Sequence, residues 1–534
     1  MNKFDYKNLI VPFMDNPYSI GLNNTMNIHS KKGDKIIVTE ESIKNGFENS
    51  YSRTLLEVGK IYTVESIKID NYNTHVFLQE IPKIGFNSVN FEDYIENCYI
   101  DVPPPTISGN LHIGHLYSYL QGDIIARYNR YKQKNLIYPF CFDNNGIPTY
   151  KLASKNGLYD TQDVINYSIE KSIEYKNIFE KIGIQFSDFT YNTYDKIAQE
   201  VCLLSFYDLL NKELIYIKET EFLYCPVSKC SVSEYELTED GLYEKSGVKP
   251  IIKMGQGYFI DILNHKDKIL EVIEQIEWKP IKHKIRLLNW INEIDRDWCV
   301  SRDRQFGIKI PNEEMTFDTW FISSLTPQIA YSSYIGKATL DCPIFDLRFQ
   351  SHDIIRTWSL FTIIKSLYHN NQIPWKTILI TGHAVSNNGE KFSKTKGNAK
   401  NVSYYIDNYG SNGIRYWSLV GTLGEDTKVD ENMMRMGYKI RNKFDNAKKF
   451  VKYQIEHNYI GQNENIISEY KLIKEEIIKE MENLNYDKAL KLIYDFLFNK
   501  FCGEYIESSK KESISTSLQS ILIDFEPLFN VFFD

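Results

Sequence analysis

The chain has 534 residues, too many for one ordinary core, so two to four domains are expected. Hydrophobic residues make up 43% and charged residues 25%, the balance of a soluble globular protein. A formal net charge of −8 argues against a protein that coats nucleic acid indiscriminately, although a local basic surface can still hold RNA. The cysteines at 98, 141, 202, 225, 230, 299, 342 and 502 are scattered, which speaks for a reduced, cytoplasmic protein and against a disulfide framework. No basic start leads into an apolar core and no long uncharged apolar run occurs, so neither a signal peptide nor a membrane span is expected.

Residues 1–95 carry short β-branched or alternating stretches, KIIVTE (35–40), KIYTVESIKI (60–69) and HVFLQE (75–80), broken by Gly, Asn and Asp. They predict a small β-rich, barrel-like module, read as an appended stabilising or tethering domain, with a specific binding role as the alternative. From Tyr99 the pattern becomes strand, loop, helix, strand: CYIDVPPP, TISGN, LHIGHLYSYLQGDIIARYNRYK and NLIYPFCF. That is the repeating unit of a parallel, doubly wound sheet. A second set follows far downstream in PIFDLRF (343–349), a helix from Ile354 to about Tyr368, and TILITG (377–382). The fold class expected is therefore α/β. A split Rossmann-type nucleotide-binding domain has halves at 96–215 and 297–430, a shortened connective region at 216–296, and a C-terminal helical bundle at 431–534. Apolar residues recur at helical spacing in MGYKIRNKFDNAKKFVKY, YKLIKEEIIKEMENL and YDKALKLIYDFLFNKF, which supports the bundle.

The sharpest constellation is His112-Ile113-Gly114-His115 at a helix start, paired with Lys391-Phe392-Ser393-Lys394-Thr395 far downstream. A helix N-terminus offers unpaired N–H groups and a positive dipole, a natural seat for phosphate. Two lysines beside a Ser, a Thr and Gly397 on a polar loop could close on a triphosphate from the other side, stabilising charge that develops on the α-phosphate and pyrophosphate. Either motif alone is weak, because two nearby histidines are more often surface or cap residues. The ordered pair, one in each half of a split α/β fold, is far more specific.

With these motifs the chain resembles the class I aminoacyl-tRNA synthetases. PPPTISGNLHIGH (103–115) is similar to their first signature and KFSKTKGN (391–398) to their second. The resemblance runs on through DIIARYNRY (123–131), FDNNGIPT (142–149), DWCVSRDRQFGIKIP (297–311), FDTWFISSLTPQIA (317–330), SHDIIRTW (351–358) and YGSNGIRYWSL (409–419), segments typical of valine enzymes of an archaeal and actinobacterial-like branch. It covers about 96–430 well, and the helices beyond resemble the family's anticodon-binding bundle. The resemblance implies that His112, His115, Lys391 and Lys394 act on ATP phosphates, with Ser393 beside them on the loop. It implies that Gly114 and Gly382 admit the adenine and that Asp353 holds the ribose. Asp143 would take the amino acid's ammonium group, with Pro104, Pro105 and Trp320 walling a small apolar pocket. The implied partners are ATP with its magnesium, an amino acid (valine) and tRNA, acting on a cytoplasmic monomer in protein biosynthesis.

Three departures qualify this. CPVSKCSVSEYELTEDGLYEKSGVKPIIK runs almost directly from the segment that normally enters the family's editing domain to the one that leaves it, and the stretch between Tyr224 and Lys253 is too short for a separate hydrolytic domain. Phe392 and Thr395 replace the usual Met and Ser, and Ser351 stands where the family has Gly. The family's C-terminal arm is not expected after the bundle, yet Arg435, Lys439, Arg441, Lys443, Lys448, Lys449 and Lys452 give the helix from Glu431 a basic balance, either a solvated face or a contact for RNA phosphates. Cys225 and Cys230 have no second ligand pair at suitable spacing, so no structural zinc is expected. Two other readings stand beside the valine enzyme. One is a paralogue passing an activated amino acid to a non-tRNA acceptor. The other is a non-catalytic tRNA-binding protein, against which the intact His and Lys motifs count.

Overall fold

In the computed structural model the residues described are 25–45, 54–70, 73–228, 230–232, 237–238, 240–243, 246–303, 306–386, 389, 400–457 and 459–534. The chain divides into two compact units, one holding Cys98–Lys132 and Leu136–Asp534, the other holding Leu9–Asn97 and Gln133–Asn135. In the smaller unit the alternating stretches become strands of one antiparallel sheet, in the order Gly85–Asn87, Thr74–Leu78, Ile61–Ile69, Lys35–Ile37, Glu92–Asp93. Period-two patterning puts Ile36, Tyr62, Val64, Val76 and Leu78 on one buried face, closed by Met26, Leu56, Phe86 and Phe91.

The larger unit is built on a five-stranded sheet in the order Glu277–Lys279, Trp375–Thr381, Phe345–Ser351, Asn97–Asp101, Asn135–Ile137. The pairings of Phe345–Ser351 with Trp375–Thr381 and with Asn97–Asp101 are parallel, as is that of Glu277–Lys279 with Trp375–Thr381. The first half of the fold winds outward from Asn97–Asp101 in one direction and the second half winds from Phe345–Ser351 in the other. These two strands are neighbours, so the topological switch point lies between their C-terminal ends, where doubly wound sheets bind ligands.

Two elements differ from expectation. NLIYPFCF is not one strand. Asn135–Ile137 joins the main sheet, whereas Pro139–Phe142 pairs in parallel with Ser187–Asn192; Pro139 has no N–H with which to continue a ladder. The helix expected from Ile354 begins as a 3₁₀ turn, His352–Ile354, widens into a π-turn, Ile355–Ser359, and becomes regular only over Leu360–Asn370. The connective region is a long antiparallel ribbon, with Ile215 opposite Ile260 and an unbroken register to Tyr224 opposite Ile251. Only residues 225–250 lie beyond its end. The bundle comprises Glu431–Glu456, Glu464–Glu482, a run from Tyr486 through Ser509 with a π-segment at Phe496–Tyr505, and Ser515–Phe532. No described helix is long and apolar enough to cross a membrane.

A buried ion pair joins the two halves at the switch point. Arg348 Nη1 lies 2.7 Å from Asp101 Oδ2, both side chains fully buried, and the strand register sets the residues side by side. The Trp375 indole N–H (2.7 Å) and the Thr326 hydroxyl (3.2 Å) donate to the same carboxylate oxygen. Removing one charge from such a pair leaves the other unsolvated, at a cost of about 3–5 kcal/mol. Asp101→Asn is expected to lower the urea midpoint of the full chain by that order of stability. Asp101→Asn combined with Arg348→Met should recover much of the loss, as read from the same unfolding curves.

Candidate active site

The long helix Ile113–Tyr131 follows the proline-stopped strand and is buried over most of its length. It lies directly on the second half of the sheet: a Cβ at Gly122 would come within 2.5 Å of the Phe349 ring, so only glycine allows this approach. His112 is its N-cap. The Gly114 N–H donates to His112 Nδ1 (3.2 Å), and the His112 N–H donates to His115 Nδ1 (3.2 Å), a capping box made from two imidazoles. Their ring centroids are 4.0 Å apart. With Nδ1 accepting in each ring, the neutral tautomer carries its proton on Nε2, so the cap turns both histidines into N–H donors at a positive helix end. Glycine at 114 gives the His112 ring its room, since a Cβ there would lie 3.0 Å from it.

The helix start abuts the strand ends of the other half. Ser118 Oγ is 2.9 Å from Thr381 Oγ1, and the ideal Cβ position of Gly114 lies 3.9 Å from the Ala384 methyl. The segment from Thr381 to Ala384, which includes Gly382 and His383, therefore runs past the start of this helix. At Gly382 the side-chain direction is filled by backbone, a Cβ coming within 1.9 Å of the Glu425 carbonyl oxygen, so only its opposite side can face a base. Asp353 sits on the exposed turn after Phe345–Ser351, its carboxylate receiving the Ser351 hydroxyl at 2.6 Å, with His383 Nε2 3.8 Å away. Lys391, Ser393 and Lys394 lie outside the described residues.

A second cluster forms where the first strand runs on past Asp101. Pro104 and Pro105 are buried, and the Pro105 carbonyl accepts from the Asp143 N–H. Asp143 is itself buried, and its carboxylate accepts from neutral donors: Oδ1 from the Thr193 hydroxyl (2.8 Å) and the Asn145 N–H (3.0 Å), Oδ2 from the Ser323 hydroxyl (2.9 Å). Burial pushes its carboxyl above the ordinary aspartate range, against the pull of these hydrogen bonds. No cation pairs with it among the described residues. Trp320 is half-buried on the turn of helix that carries Ser323 and meets Trp358 edge to face at 5.5 Å; Trp358 Nε1 donates to the Ser323 carbonyl (2.6 Å). This ties the Asp143 cluster to the segment that follows Asp353. Thr193, Ser323 and Trp358 are members of the site that sequence reasoning does not single out. Thr193 is 50 residues from Asp143 and carries no local signal, whereas Ser323 stands in the family-like segment FDTWFISS. Among the described residues no group of three or more His, Cys, Asp or Glu is arranged to hold a metal ion.

The chain matches the model of the class I tRNA synthetases for isoleucine, leucine, methionine and valine over residues 86–313 and 311–430. It belongs to that family. Residues 463–529 match the anticodon-binding domain of tRNA ligases, and residues 35–102 the bacteriophage T4 protein Y07B family. Valine–tRNA ligase of Rickettsia rickettsii (strain Sheila Smith) is 25% identical, with 78% of this chain and 79% of the relative covered. That of Ehrlichia canis (strain Jake) is 25% identical, with 78% and 77% covered. The Rickettsia alignment runs over 646 positions although 78% of a 534-residue chain takes part, so roughly two hundred of the relative's residues have no counterpart here. Together with the unbroken ribbon, this is consistent with a missing editing domain.

In fold, the synthetase is similar to methionyl-tRNA synthetase of Mycobacterium tuberculosis bound by methionyl-adenylate (TM-score 0.65, 18% identity, 81% of this chain and 92% of that one). It is similar also to a leucyl enzyme of Agrobacterium radiobacter K84 in complex with tRNA (TM-score 0.68, 14% identity, 82% and 84%). The family match and the anticodon-binding-domain match, not the fold likeness, make the chain an aminoacyl-tRNA ligase with tRNA as a partner.

His112 is the N-cap, and whether its imidazole also donates to phosphate can be tested apart from the cap. Asn is an excellent N-cap but offers no imidazole N–H. His112→Asn is expected to leave the thermal midpoint near wild type while slowing amino-acid-dependent ATP–pyrophosphate exchange by about a hundredfold, the loss of one oriented donor. Wild-type exchange in this variant would leave His112 a cap alone.

Proposed function

We propose that this synthetase is a valine–tRNA ligase without hydrolytic editing. The observation that carries the reading is Asp143: a buried carboxylate with neutral hydrogen-bond partners, its backbone bonded to Pro105 and its Oδ2 to Ser323 on the helical turn of Trp320, which suits the ammonium group of a small apolar amino acid. The valine–tRNA ligases among its relatives support the choice of amino acid.

In the proposed reaction the amino acid's carboxylate attacks the α-phosphate of ATP in line, giving aminoacyl-adenylate and pyrophosphate. A terminal ribose hydroxyl of tRNA then displaces AMP. His112 and His115 donate to phosphate oxygens at the helix start, Lys391 and Lys394 supply charge from the signature loop with Ser393 beside them, and Asp353 receives the ribose. The base lies against the backbone of Gly114 and Gly382, away from the directions that the His112 ring and the Glu425 carbonyl fill. Positioning and charge stabilisation suffice, with no covalent enzyme intermediate. Magnesium would arrive with ATP, held largely by phosphate oxygens. RNA contact is assigned to the face of Glu431–Glu456 where Arg435, Tyr438, Lys439, Asn442 and Lys443 line a groove of about 480 Å³ together with Phe498. Arg441 and Lys448 are instead occupied by Asp445 and Glu526.

A second reading, transfer to a non-tRNA acceptor, is favoured by the shortened ribbon. ATP–pyrophosphate exchange across the twenty amino acids decides first: it should be strongest with valine, and exchange confined to a large or charged amino acid would remove the assignment. With threonine, which the pockets of valine enzymes reject by only about a hundredfold, charged tRNA should accumulate without tRNA-stimulated AMP release. Rapid futile AMP formation would show that editing survives. Exchange without charging of any tRNA would favour the other acceptor.

The raised Asp143 carboxyl has a pH signature. Protonation removes the charge that holds ammonium, so the KM for the amino acid should climb on acidification at a pH above the ordinary aspartate range. Asp143→Asn should raise KM and flatten that acidic limb. An unchanged limb would place the titrating group elsewhere.

A further inference from the structure

Ser351 stands where the family pattern has glycine, yet its backbone (φ −73°, ψ 154°) is ordinary extended chain that needs none. What the side chain adds is a hydroxyl. It donates to Asp353 Oδ1 at 2.6 Å and lies 3.3 Å from His383 Nδ1. His383 comes from the end of the adjacent strand and bears on the other oxygen of the same carboxylate, Nε2 to Oδ2 being 3.8 Å. His383 is itself fixed from behind. Its N–H donates to Asp426 Oδ1 (2.8 Å), the oxygen that also lies 3.0 Å from His352 Nε2, and the His352 and His383 rings meet edge to face at 4.2 Å. Two neighbouring strand ends thus contribute one hydroxyl and one imidazole to a carboxylate whose side chain is still 45% exposed.

We propose that Ser351 is a positioning residue that holds Asp353, through the bond to Oδ1, in the orientation that accepts the vicinal hydroxyls of a nucleotide ribose. The inference rests on the reading of Asp353 as the ribose contact. Ordering a part-exposed carboxylate before the nucleotide arrives lowers the conformational cost of binding it. A carboxylate oxygen accepts more than one hydrogen bond, so the Ser351 bond orients Asp353 and leaves acceptor capacity for the sugar. Alanine at 351 removes the bond and threonine keeps it.

The test is steady-state ATP–pyrophosphate exchange with the full chain, comparing wild type, Ser351→Ala, Ser351→Thr and Asp353→Asn on ATP and 2′-deoxy-ATP. Ser351→Ala should raise the KM for ATP roughly three- to tenfold, the range for one charge-assisted hydrogen bond at a part-exposed site. kcat and the KM for the amino acid should stay close to wild type. Its preference for ATP over 2′-deoxy-ATP should shrink, and Ser351→Thr should restore both readouts. If Asp353→Asn raises the KM for ATP while Ser351→Ala does not, the role of Ser351 is overturned and the ribose contact stands. If Asp353→Asn leaves the KM for ATP and the deoxy preference unchanged, the ribose reading itself fails and takes this inference with it. Loss of kcat and of amino-acid affinity alike in Ser351→Ala would mark a structural role and overturn the proposal.

Discussion

The site depends on one buried contact, that of Asp101 with Arg348. These residues are 247 positions apart in the chain. Nothing local brings their strands together, and sealing two charges away from water is favourable only when their partners are in place. Arg348 also lies against the faces of Trp358 (5.0 Å) and Trp375 (5.5 Å), which screen the pair. Both walls of the site hang from this junction. Past Asp101 the chain runs into Pro104 and Pro105 and on to the two histidines. Past Arg348 it runs into Ser351 and Asp353. An error of register here would displace both the histidine-capped helix start and the Ser351–Asp353 turn.

The helix Ile113–Tyr131 is the second shared part. Its N-terminus is capped by the imidazoles that face the site. Toward its other end, Asp123 meets Arg415 (2.7 Å) and Arg127 (3.0 Å), and Arg127 reaches Asp534. Arg415 donates to the Phe532 carbonyl (3.2 Å). Burial opposes the charge on Arg415, drawing its guanidinium below the ordinary value despite Asp123, so this cluster is held by packing as much as by attraction. One rigid element therefore links the reacting end of the fold to the last helix of the bundle.

The connective ribbon bears on fidelity. A closed ladder from Ile215 to Tyr224 against Ile251 to Ile260 leaves too few residues for a hydrolytic domain. On the proposed reading, discrimination falls on the residues around Asp143 and on what becomes of the product after release. The small sheet of the N-terminal unit, matched to a phage protein family over residues 35–102, has its own apolar core and is a separate folding problem from the synthetase.

The two signatures, the order of strands and helices and the brevity of the connective segment are properties of contiguous residues, where hydrophobic period and turn chemistry act directly. The α/β class, the terminal bundle and the β-rich start are therefore legible in the amino-acid sequence alone, and the resemblance names the site residues. Other features require tertiary structure. Pro139 splits NLIYPFCF between two sheets because a ladder needs an N–H that proline lacks, but only the folded chain shows which partner each piece takes. In the sequence Ser351 is only a departure from the family's glycine; folded, its hydroxyl is a donor to Asp353. Thr193 and Ser323 meet Asp143 from 50 and 180 residues away. Sequence by itself determines which groups a residue carries and how its neighbours repeat, whereas burial and long-range pairing arise only when distant segments close on one another and exclude water.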